Sequence, residues 1–488
     1  MPSKTTAVSI RHTAKYTVFD TYEIVSSPHF FTSPQRPSNP NGGPNRGPNR
    51  GSTPQPPRPS PHPSSNYKYA SLPLPTPPTC SSIFLDINEP YTLNLLLSIL
   101  KSKTSYTINL GPCTGDSPIP VPPSTFQYAE YERCNWDVLR LRKGRSSNFC
   151  VRKGLSRKAQ MYNYTRRYCA KNRESILRTN VPESVVVETW AAFEEGESVV
   201  MGDGQRVDFG NLKVEDRVKI CSGDFLQLQE EKFIKGEDVT WIVKPSSINR
   251  GSGIEIFLVY EQLLNILLEE RDIREWIVSV YIDRPLLLSG RKFHIRAYVA
   301  AVGDLTVYFY DDVLCLCSGT EYDGDDVGNY YAHITNTCYQ SQDAGFNEEE
   351  CVLVLEDVER ILVQEYGMEE GKAGKEVENI KEQMRKLTGE LFECYKGETN
   401  VYDPLEGSFE HYGFDFMVAE NDDKGSEFLY KTYLLEVNPG PDFKQSGKKG
   451  EGIVKGMLEE TVDLVLGGLD FDKEKNENVL TKVYQKKG

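Results

Sequence analysis

Two apolar stretches late in the chain predict an antiparallel β-hairpin. Residues Tyr412 to Ala419 and Phe428 to Val437 are rich in aromatic and branched apolar side chains, which favour strands. The segment between them, Asn421 to Ser426, is dense in Asn, Asp, Gly and Ser, which favour turns. Pairing the two stretches across that turn is the simplest fold that this pattern allows.

The hairpin would bring three oxygen-bearing side chains together. Folding it about its midpoint places Asp415 opposite Glu436, and side-chain alternation puts Asn438 on the same face as Glu436. Mg²⁺ prefers few carboxylates together with substrate phosphates, so the cluster predicts a site for a magnesium nucleotide. Taken alone, the pattern is equally compatible with acidic residues at the exposed ends of a hairpin.

Upstream, an apolar strand with a lysine near its end precedes a glycine-rich loop. Thr240 to Pro245 and Ile254 to Val259 are predicted strands, and the loop between them contains the sequence RGSG. Backbone N–H groups and two cations there could enclose a phosphate chain. An ordinary hairpin turn is the alternative, but a lysine buried at a strand end needs an anionic partner. The candidate phosphate-binding residues are Lys244, Arg250, Gly251, Ser252 and Gly253.

The predicted strand Arg291 to Val302 carries a polar face. Three basic residues alternate there with apolar ones, so that Lys292, His294 and Arg296 share one side of the strand. A single histidine would most simply be a core residue with its hydrogen bonds satisfied, whereas three basic groups in register indicate the lining of a cleft. The later segment HITN is also rich in polar groups, contributed by His333, Thr335 and Asn336.

The remaining patterns predict a β-α-β start, covering helices and flexible segments. Ile83 to Ile87 and Tyr106 to Leu110 are predicted strands around a helix that Asn88 caps. The composition of Ser33 to Thr79 is dominated by Pro, Ser, Asn and Gly, which predicts a disordered tether. Further predictions are helices at Glu348 to Glu365, Lys375 to Tyr395 and Ile453 to Leu466, a surface loop between Phe193 and Glu237, and a lysine-rich tail that frays.

The charge is unevenly distributed along the chain. Between Arg133 and Arg178, fourteen Lys and Arg residues accompany two acidic ones, in a protein of net charge −15. Such a basic island favours an anionic partner, either an acidic peptide or a nucleic acid, with a solvated helical face as the plain alternative. The candidate residues for binding an acidic tail are Arg152, Lys153, Arg157 and Lys158.

Composition limits the compartment and the number of domains. The 11 Cys residues include no CxxC pair, which indicates neither a disulfide framework nor a zinc site. No apolar run approaches the length of a membrane span, so we expect a soluble, cytoplasmic protein without a membrane partner. The 488 residues exceed what one hydrophobic core usually supports, which predicts two or three domains.

Five motifs together resemble those of the tubulin tyrosine ligase-like proteins: WIVKPS with the RGSG loop, RKF.IR, H.TN, YGFDFMV and LLEVNPGP, in this order and spacing. The family's domain is of the ATP-grasp type. The resemblance therefore implies an α/β (α+β) fold with a small N-terminal β-α-β domain, a central domain and a C-terminal antiparallel-sheet nucleotide-binding domain. The expected limits are 1–81 for the disordered Pro-rich extension, 82–150 for the small α/β domain, 151–240 for a basic central domain with an acidic loop insertion, 241–467 for the ATP-binding domain and 468–488 for the charged tail.

The resemblance also implies roles for individual residues. ATP would be held by Lys244, Arg250, Gly251, Ser252, Gly253, Ser279, Val280, Tyr281, Ile282, Lys292 and His294. The phosphate and acceptor end would be lined by Arg296, His333, Thr335 and Asn336. Mg²⁺ would be bound by Asp415, Glu436 and Asn438, with Lys244 and Arg296 acting in catalysis.

Family members activate a carboxylate with ATP to an acylphosphate and couple it to an amine. The resemblance implies that a free amino acid, tyrosine or glutamate, is joined to an acidic protein tail, with tubulin as the candidate acceptor. The chain departs from the family pattern at four positions: Ser279 and Val280 stand for the usual QK, His294 for the usual aspartate and Cys315 for the usual arginine. Two other functions stay open, a catalytically impaired ATP-binding module and an RNA-associated protein, although nucleic acid is the less favoured partner.

Overall fold

A computed structural model describes residues 80, 82–103, 106–111, 121–194, 198–200, 206–210, 212–248, 251–343, 345–466 and 479–486. The predicted Pro-rich extension therefore lies outside the described residues except for Cys80. The architecture below belongs to one compact unit within residues 75–199 and 207–488. The predicted domain limits stay a prediction.

The N-terminal sheet is parallel and contains the predicted β-α-β start. Its elements are β1 (Ser82–Asp86), α1 (Pro90–Lys103), β2 (Thr107–Leu110), β3 (Thr125–Ala129), α2 (Trp136–Arg140) and β4 (Arg145–Ser146). The strand order is β2-β1-β3-β4. The cap of α1 is Glu89 rather than the predicted Asn88, because the Glu89 carboxylate accepts hydrogen bonds from the backbone N–H groups of Tyr91 at 3.0 Å and Thr92 at 2.7 Å.

The second sheet is antiparallel, with strand order β5-β10-β8-β9. Helix α4 lies before it in the chain and carries four of the fourteen basic residues of the island. The elements of this region are α3 (Lys153–Ser156), α4 (Lys158–Lys171), α5 (Leu177–Asn180), β5 (Ser184–Glu188), α6 (Trp190–Phe193), β6 (Ser198–Val200), β7 (Arg206–Asp208), α7 (Val214–Cys221), α8 (Gly223–Ile234), β8 (Trp241–Pro245), β9 (Glu255–Phe257), α9 (Tyr260–Glu269) and β10 (Glu275–Val280).

The prediction of a surface loop between Phe193 and Glu237 is wrong for residues 214–234, which form α7 and α8. Phe225 anchors α8 in the core, where its ring centroid lies 4.9 Å from that of Trp241. Val218 and Leu228 are also buried. Only a few apolar residues anchor these short helices in the core. The helical spacing of apolar residues is therefore difficult to recognise in a segment that is mostly acidic and polar.

The third sheet has eight strands and is built around β12. The elements of this region are β11 (Leu287–Leu288), β12 (Arg291–Val302), β13 (Thr306–Tyr310), β14 (Leu314–Cys317), α10 (Tyr330–His333), α11 (Thr337–Gln340), α12 (Glu348–Cys351), β15 (Val352–Val354), α13 (Leu355–Gln364), α14 (Glu370–Glu393), β16 (Phe409–Glu420), β17 (Tyr430–Pro439), α15 (Gly447–Leu466) and β18 (Leu480–Gln485). Strand β12 pairs with β11, β13, β14 and β16, all antiparallel.

The predicted hairpin is confirmed as β16 and β17. The strands are antiparallel, and Asp415 is directly opposite Glu436 in the register. A register shift follows between Asp415 and Phe416. The buried apolar residues of the hairpin pack on α14, which is the covering helix expected from Lys375 to Tyr395. The other expected helix, Glu348 to Glu365, is interrupted by the short strand β15.

The lysine-rich tail is predicted to fray, and this is wrong for its last part. Strand β18 forms an edge of the eight-stranded sheet by pairing with β13. Gly389 of α14 allows a close approach to it, since a Cβ at this position would lie 2.6 Å from the carbonyl oxygen of Val483. Leu480 is 6% exposed and belongs to the same apolar cluster as Met457 of α15. A few apolar residues among lysines are therefore enough to dock the segment.

Because Leu480 anchors β18, the substitution Leu480→Ala should lower the free energy of unfolding by about 2–4 kcal/mol. Lys482→Ala, at an exposed side chain of the same strand, is the matched control, with an expected change below about 0.5 kcal/mol. Urea denaturation measures both. Equal midpoints for the two variants would contradict the docking of the tail.

Candidate functional site

A cleft between the antiparallel sheets gathers most of the predicted site residues. One wall comes from β8 and β10, the other from β12, β16 and β17, and α4 and the HITN segment contribute further side chains. Much of the cleft is apolar: Met161, Ile242, Ile254, Ile277, Met417 and Leu434 line it. An apolar cleft with a few charged groups at one end suits a ligand that has a flat ring and a charged chain.

The carboxylate cluster forms at the charged end of the cleft. The Asn438 amide donates to the Asp415 carboxylate at 3.3 Å and to the Glu436 carboxylate at 3.0 Å. Arg296 donates to both oxygens of Asp415, from Nε at 2.5 Å and from Nη2 at 3.0 Å. Gly413 leaves room for this arginine, because a Cβ there would lie 3.1 Å from Arg296 Cδ. The predicted convergence of three oxygen-bearing side chains is therefore present.

Two lysines compensate the charge of Glu436. The Nζ of Lys158 lies 3.1 Å from Glu436 Oε2 and donates to the carbonyl oxygen of Ile248 at 3.0 Å. Burial alone would raise the pKa of Glu436, but Lys158, Lys244 and the hydrogen bond from Asn438 hold it well below its ordinary value. Glu436 is thus ionised at neutral pH. Lys158, a candidate for tail binding, is 6% exposed and belongs to the cleft instead.

Lys244 and Lys292 face the cleft from opposite walls. Burial lowers the pKa of Lys244, an effect that Glu436 opposes. Burial, assisted by the charge of Lys244, lowers the pKa of Lys292 to about 7. Because two cations in a poorly hydrated space repel one another, an anionic ligand bound between them would be stabilised by both.

Gly251 of the predicted glycine loop and the residues of the predicted adenine edge also border the cleft. Gly251 has a φ of +74°, and a Cβ there would lie 3.3 Å from Ile334 and 3.4 Å from Asn336, so this turn needs glycine. Ser252 and Gly253 are exposed, and Arg250 lies outside the described residues. Residues 279–282 line the cleft, with the Ser279 hydroxyl 2.7 Å from that of Ser184.

The alternation predicted for β12 is confirmed, since its three basic residues line the cleft or its continuation while Phe293, Ile295 and Ala297 are in the core. His294 Nδ1 lies 2.7 Å from the Thr335 hydroxyl, and burial lowers the pKa of His294, so this histidine is neutral at pH 7. The Asn336 side chain accepts from the backbone N–H of Cys338 at 3.1 Å and caps α11.

The departure at Cys315 lies in the hydrophobic core and not among the residues that line the cleft. In the register of β12 and β14, Cys315 is opposite Ile295, and both side chains are fully buried in the hydrophobic core. The thiol is therefore a core group, and its pKa is raised well above the ordinary value by burial. His294, Ser279 and Val280 are the departures that do line the cleft.

The candidate tail-binding residues divide into two kinds. Arg152 forms an ion pair with Glu410, which is 1% exposed, and its guanidinium lies 4.0 Å from the ring centroid of Tyr131. This arginine is thus a structural residue, and we remove it together with Lys158 from the tail-binding set. Lys153 and Arg157 are exposed beside the start of α4, where a partner can reach them.

The residues at the charged end fit a metal ion that arrives with a nucleotide. Two carboxylates and one amide are too few for a dedicated metal cage, and the described part of the chain holds no group of three His, Cys, Asp or Glu side chains placed for one. Mg²⁺ normally completes such a set with substrate phosphates and water. Asp415, Glu436 and Asn438 would hold it, beside lysines that suit the phosphates.

Sequence reasoning missed Lys158 as a cleft residue and missed the apolar wall. Ile242 lies two residues before Lys244, and Ile277 two before Ser279, so strand alternation contained the signal for both isoleucines. The approach of α4 is a tertiary contact with no such signal. Its first residue, Lys158, enters the cleft because the Lys158 backbone N–H donates to the Ser246 carbonyl oxygen at 3.1 Å.

Residues 155–474 match the model of the Tubulin-tyrosine ligase family. The chain belongs to this family. It is 28% identical over 382 residues to the probable tubulin–tyrosine ligase PBY1 of Saccharomyces cerevisiae, covering 69% of this chain and 45% of that protein. It is also 28% identical over 397 residues to the probable tubulin–tyrosine ligase C12B10.04 of Schizosaccharomyces pombe, covering 74% of this chain and 87% of the relative.

A solved structure extends the comparison. The C-terminal domain of K. lactis Pby1, an ATP-grasp enzyme, superimposes with a TM-score of 0.56 at 25% identity, covering 83% of this chain and 99% of that domain. The fold is thus of the ATP-grasp type, as the motifs predict. The chain spans less than half the length of the S. cerevisiae relative. Within the described ranges no helix is both long and apolar enough to cross a membrane.

Proposed function

We propose that this tubulin-tyrosine ligase family member is an ATP- and Mg²⁺-dependent ligase that joins a free amino acid, tyrosine or glutamate, to an acidic protein tail. The observation that carries the proposal is the cluster of Asp415, Glu436 and Asn438, which shares one cleft with Lys244 and Lys292. Family membership supports a ligase-type reaction.

The reaction consists of two transfers at the charged end of the cleft. A carboxylate oxygen of the acceptor attacks the γ-phosphorus of ATP, the bond to the β-phosphate oxygen breaks, and ADP leaves. The amine nitrogen of the amino acid then attacks the acylphosphate carbon, phosphate leaves, and the nitrogen loses a proton to water. Lys244, Lys292 and Arg296 are the groups that would stabilise the charge on the transferred phosphoryl group. Bound Mg²⁺ would supply further neutralisation of the phosphate oxygens.

Two of the four departures from the family pattern, Cys315 and His294, leave the charged groups of this chemistry in place. Cys315 lies in the core, and so its thiol takes no charge out of the cleft. His294 is neutral and bonded to Thr335, which leaves Asp415 and Glu436 as the acidic groups for the metal. These observations favour an active ligase over a catalytically impaired ATP-binding module.

Amino-acid-dependent release of ADP tests the proposal. Purified protein with Mg²⁺-ATP, a panel of Glu-rich peptides including tubulin tails, and either tyrosine or glutamate should release ADP only when peptide and amino acid are both present. Binding of ATP and peptide without release under every combination would instead support the impaired module. Absence of ATP binding would contradict the proposal altogether.

The exposed basic residues near the cleft would guide the acidic tail. Charge reversal at Lys153 and Arg157 should weaken binding of a Glu-rich peptide about tenfold at low salt and spare ATP binding. Lys171→Glu with Arg173→Glu is the matched control, because these exposed residues lie at the other end of α4, roughly 20 Å away at 1.5 Å per residue. Equal losses in both double variants would indicate general charge attraction rather than a defined path.

One relative suggests a second candidate partner. The solved domain comes from K. lactis Pby1, an ATP-grasp enzyme that interacts with the mRNA decapping enzyme Dcp2. We infer a partner of this decapping class for the present chain, which matches nearly all of that domain. Calorimetric titration with a purified Dcp2 homologue tests this separately from ligation, and absence of binding would remove it.

A further inference from the structure

Lys292 is held by a chain of buried side chains that the proposed reaction does not itself require. The lysine is 2% exposed, and its Nζ donates to the Tyr281 hydroxyl at 2.5 Å. That hydroxyl lies 2.6 Å from His333 Nδ1. His333 Nε2 lies 2.9 Å from the backbone carbonyl oxygen of Asp326.

The hydrogen bonds that link Lys292, Tyr281 and His333 can run in only one direction. A carbonyl oxygen accepts, so His333 Nε2 carries the proton and donates to Asp326. His333 Nδ1 must then accept from the Tyr281 hydroxyl while the histidine is neutral, and the Tyr281 oxygen remains free to accept from the Lys292 ammonium. Burial lowers the pKa of His333, which keeps it neutral at pH 7.

We propose that Tyr281 and His333 are positioning residues that hold the Lys292 ammonium toward the phosphate end of the cleft. The inference rests on the proposed function for the identity of the ligand, a nucleotide polyphosphate. Tyr281 aims the ammonium because its hydroxyl oxygen accepts a hydrogen bond from Nζ and its ring centroid lies 4.1 Å from Nζ, a cation–π distance. His333 orients Tyr281 and ties it to the segment that carries Asp326.

The charges around Lys292 explain why it needs this support. No acidic side chain forms an ion pair with it in the described part of the structure, and Lys244 on the opposite wall repels it. The titratable groups that face it from the neighbouring elements are Lys244, Tyr281, Asp283, Tyr322 and His333. The Tyr281 hydroxyl is the group among them that makes a direct hydrogen bond to Nζ.

The pH dependence of nucleotide affinity follows from this arrangement. Lys292 is cationic below its pKa of about 7 in the free protein, so affinity for Mg²⁺-ATP should decline as the pH rises through that value. An acceptor hydrogen bond stabilises the ammonium form. Its removal therefore lowers the pKa of Lys292 further and moves the decline to lower pH.

Calorimetric titration of Mg²⁺-ATP from pH 6 to 9 tests the proposal in the intact chain. Tyr281→Phe, which deletes only the hydroxyl, should raise the dissociation constant about tenfold at pH 7.5 and shift the decline in affinity down by about one pH unit. Tyr484→Phe is the matched control, since its hydroxyl donates to the Glu393 carboxylate on α14, which does not line the cleft, and it should leave the profile unchanged. A Tyr281→Phe profile like that of the parent, or weaker by the same factor at every pH, would overturn the positioning role.

His333 variants supply a rescue test. His333→Leu removes the acceptor of the Tyr281 hydroxyl and should reproduce part of the shift, whereas His333→Asn offers an amide oxygen near the position of Nδ1 and should restore it. If His333→Asn recovers none of the lost affinity, His333 does not position Tyr281. Lys292→Met separates the two proposals. If Lys292→Met does not weaken ATP binding, the phosphate-binding role that the proposed function gives to Lys292 is wrong. If Lys292→Met weakens ATP binding and Tyr281→Phe does not, only the positioning role of Tyr281 is wrong.

Discussion

Glu436→Gln should reduce Mg²⁺-dependent ATP turnover at least a hundredfold, equivalent to about 2.7 kcal/mol of transition-state stabilisation. Glu436 is ionised between Lys158 and Lys244, so in the proposed ligase it would act both as a metal ligand and as the charge that keeps two cations close together. The amide has nearly the same volume but carries no charge. The hairpin should therefore remain folded, as circular dichroism would report, while the Mg²⁺ concentration needed for half-maximal activity rises.

Glu420→Gln is the matched control for this variant. Glu420 lies on the same hairpin, at the end of β16, where it is exposed and paired with Arg284. It should retain full turnover and an unchanged Mg²⁺ titration. If Glu436→Gln keeps the parent's Mg²⁺ dependence, Glu436 is not a metal ligand and the assignment of the cluster is wrong.

Arg152→Ala should lower the free energy of unfolding by about 3–5 kcal/mol, measured by urea denaturation. Its partner Glu410 is 1% exposed. After the substitution, the Tyr412 hydroxyl, which donates to the Glu410 carboxylate at 2.7 Å, would be the side chain that still binds it. An ionised carboxylate without its cation is costly in this environment. ATP affinity of the folded variant should stay unchanged, because Arg152 does not line the cleft.

The pH dependence of this loss identifies its cause. Burial already raises the pKa of Glu410 in the parent, against the effect of Arg152. Without the arginine, the folded-state pKa rises further above the unfolded value, so the folded state takes up a proton as the pH falls through that raised pKa. The stability deficit should therefore be smaller at pH 5 than at pH 8.

The control for Arg152 is an arginine in a more exposed ion pair. Arg142 pairs with Glu406, with 23% and 34% of the two side chains exposed, and Arg142→Ala should cost only about 0–1 kcal/mol. Equal losses for the two alanine variants would show that the buried pair is dispensable. Arg152 would then return to the tail-binding candidates.

The sequence predicts the metal cluster and the polar face of β12 because both depend on strand alternation, a local rule. Asp415 faces Glu436 as expected because the hairpin has one register that buries its apolar residues. Lys292 and Arg296 share a face for the same reason. These residues could be assigned without knowing how the sheets are arranged.

The basic island could not be resolved in the same way. Lys153 and Lys158 are five residues apart and chemically identical, yet one is exposed and the other enters the cleft. The difference arises from the packing of α4 against the end of β8, which no local pattern encodes. Arg152 likewise finds Glu410 across a long sequence separation, and its neighbours in the chain give no sign of that partner.

The place of β12 in the eight-stranded sheet limits how far its wall of the cleft can move. Residues 295–302 pair with β16 on one edge, and residues 293–296 and 299–302 pair with β14 and β13 on the other, so most of the strand is hydrogen-bonded on both sides. We therefore expect its amide hydrogens to be among the slowest in the protein to exchange with solvent. We therefore expect the cations on β12 and the carboxylate of β16 to keep their positions when a nucleotide binds. The glycine turn and the four-stranded sheet that contains β8 and β10 are then the parts expected to move.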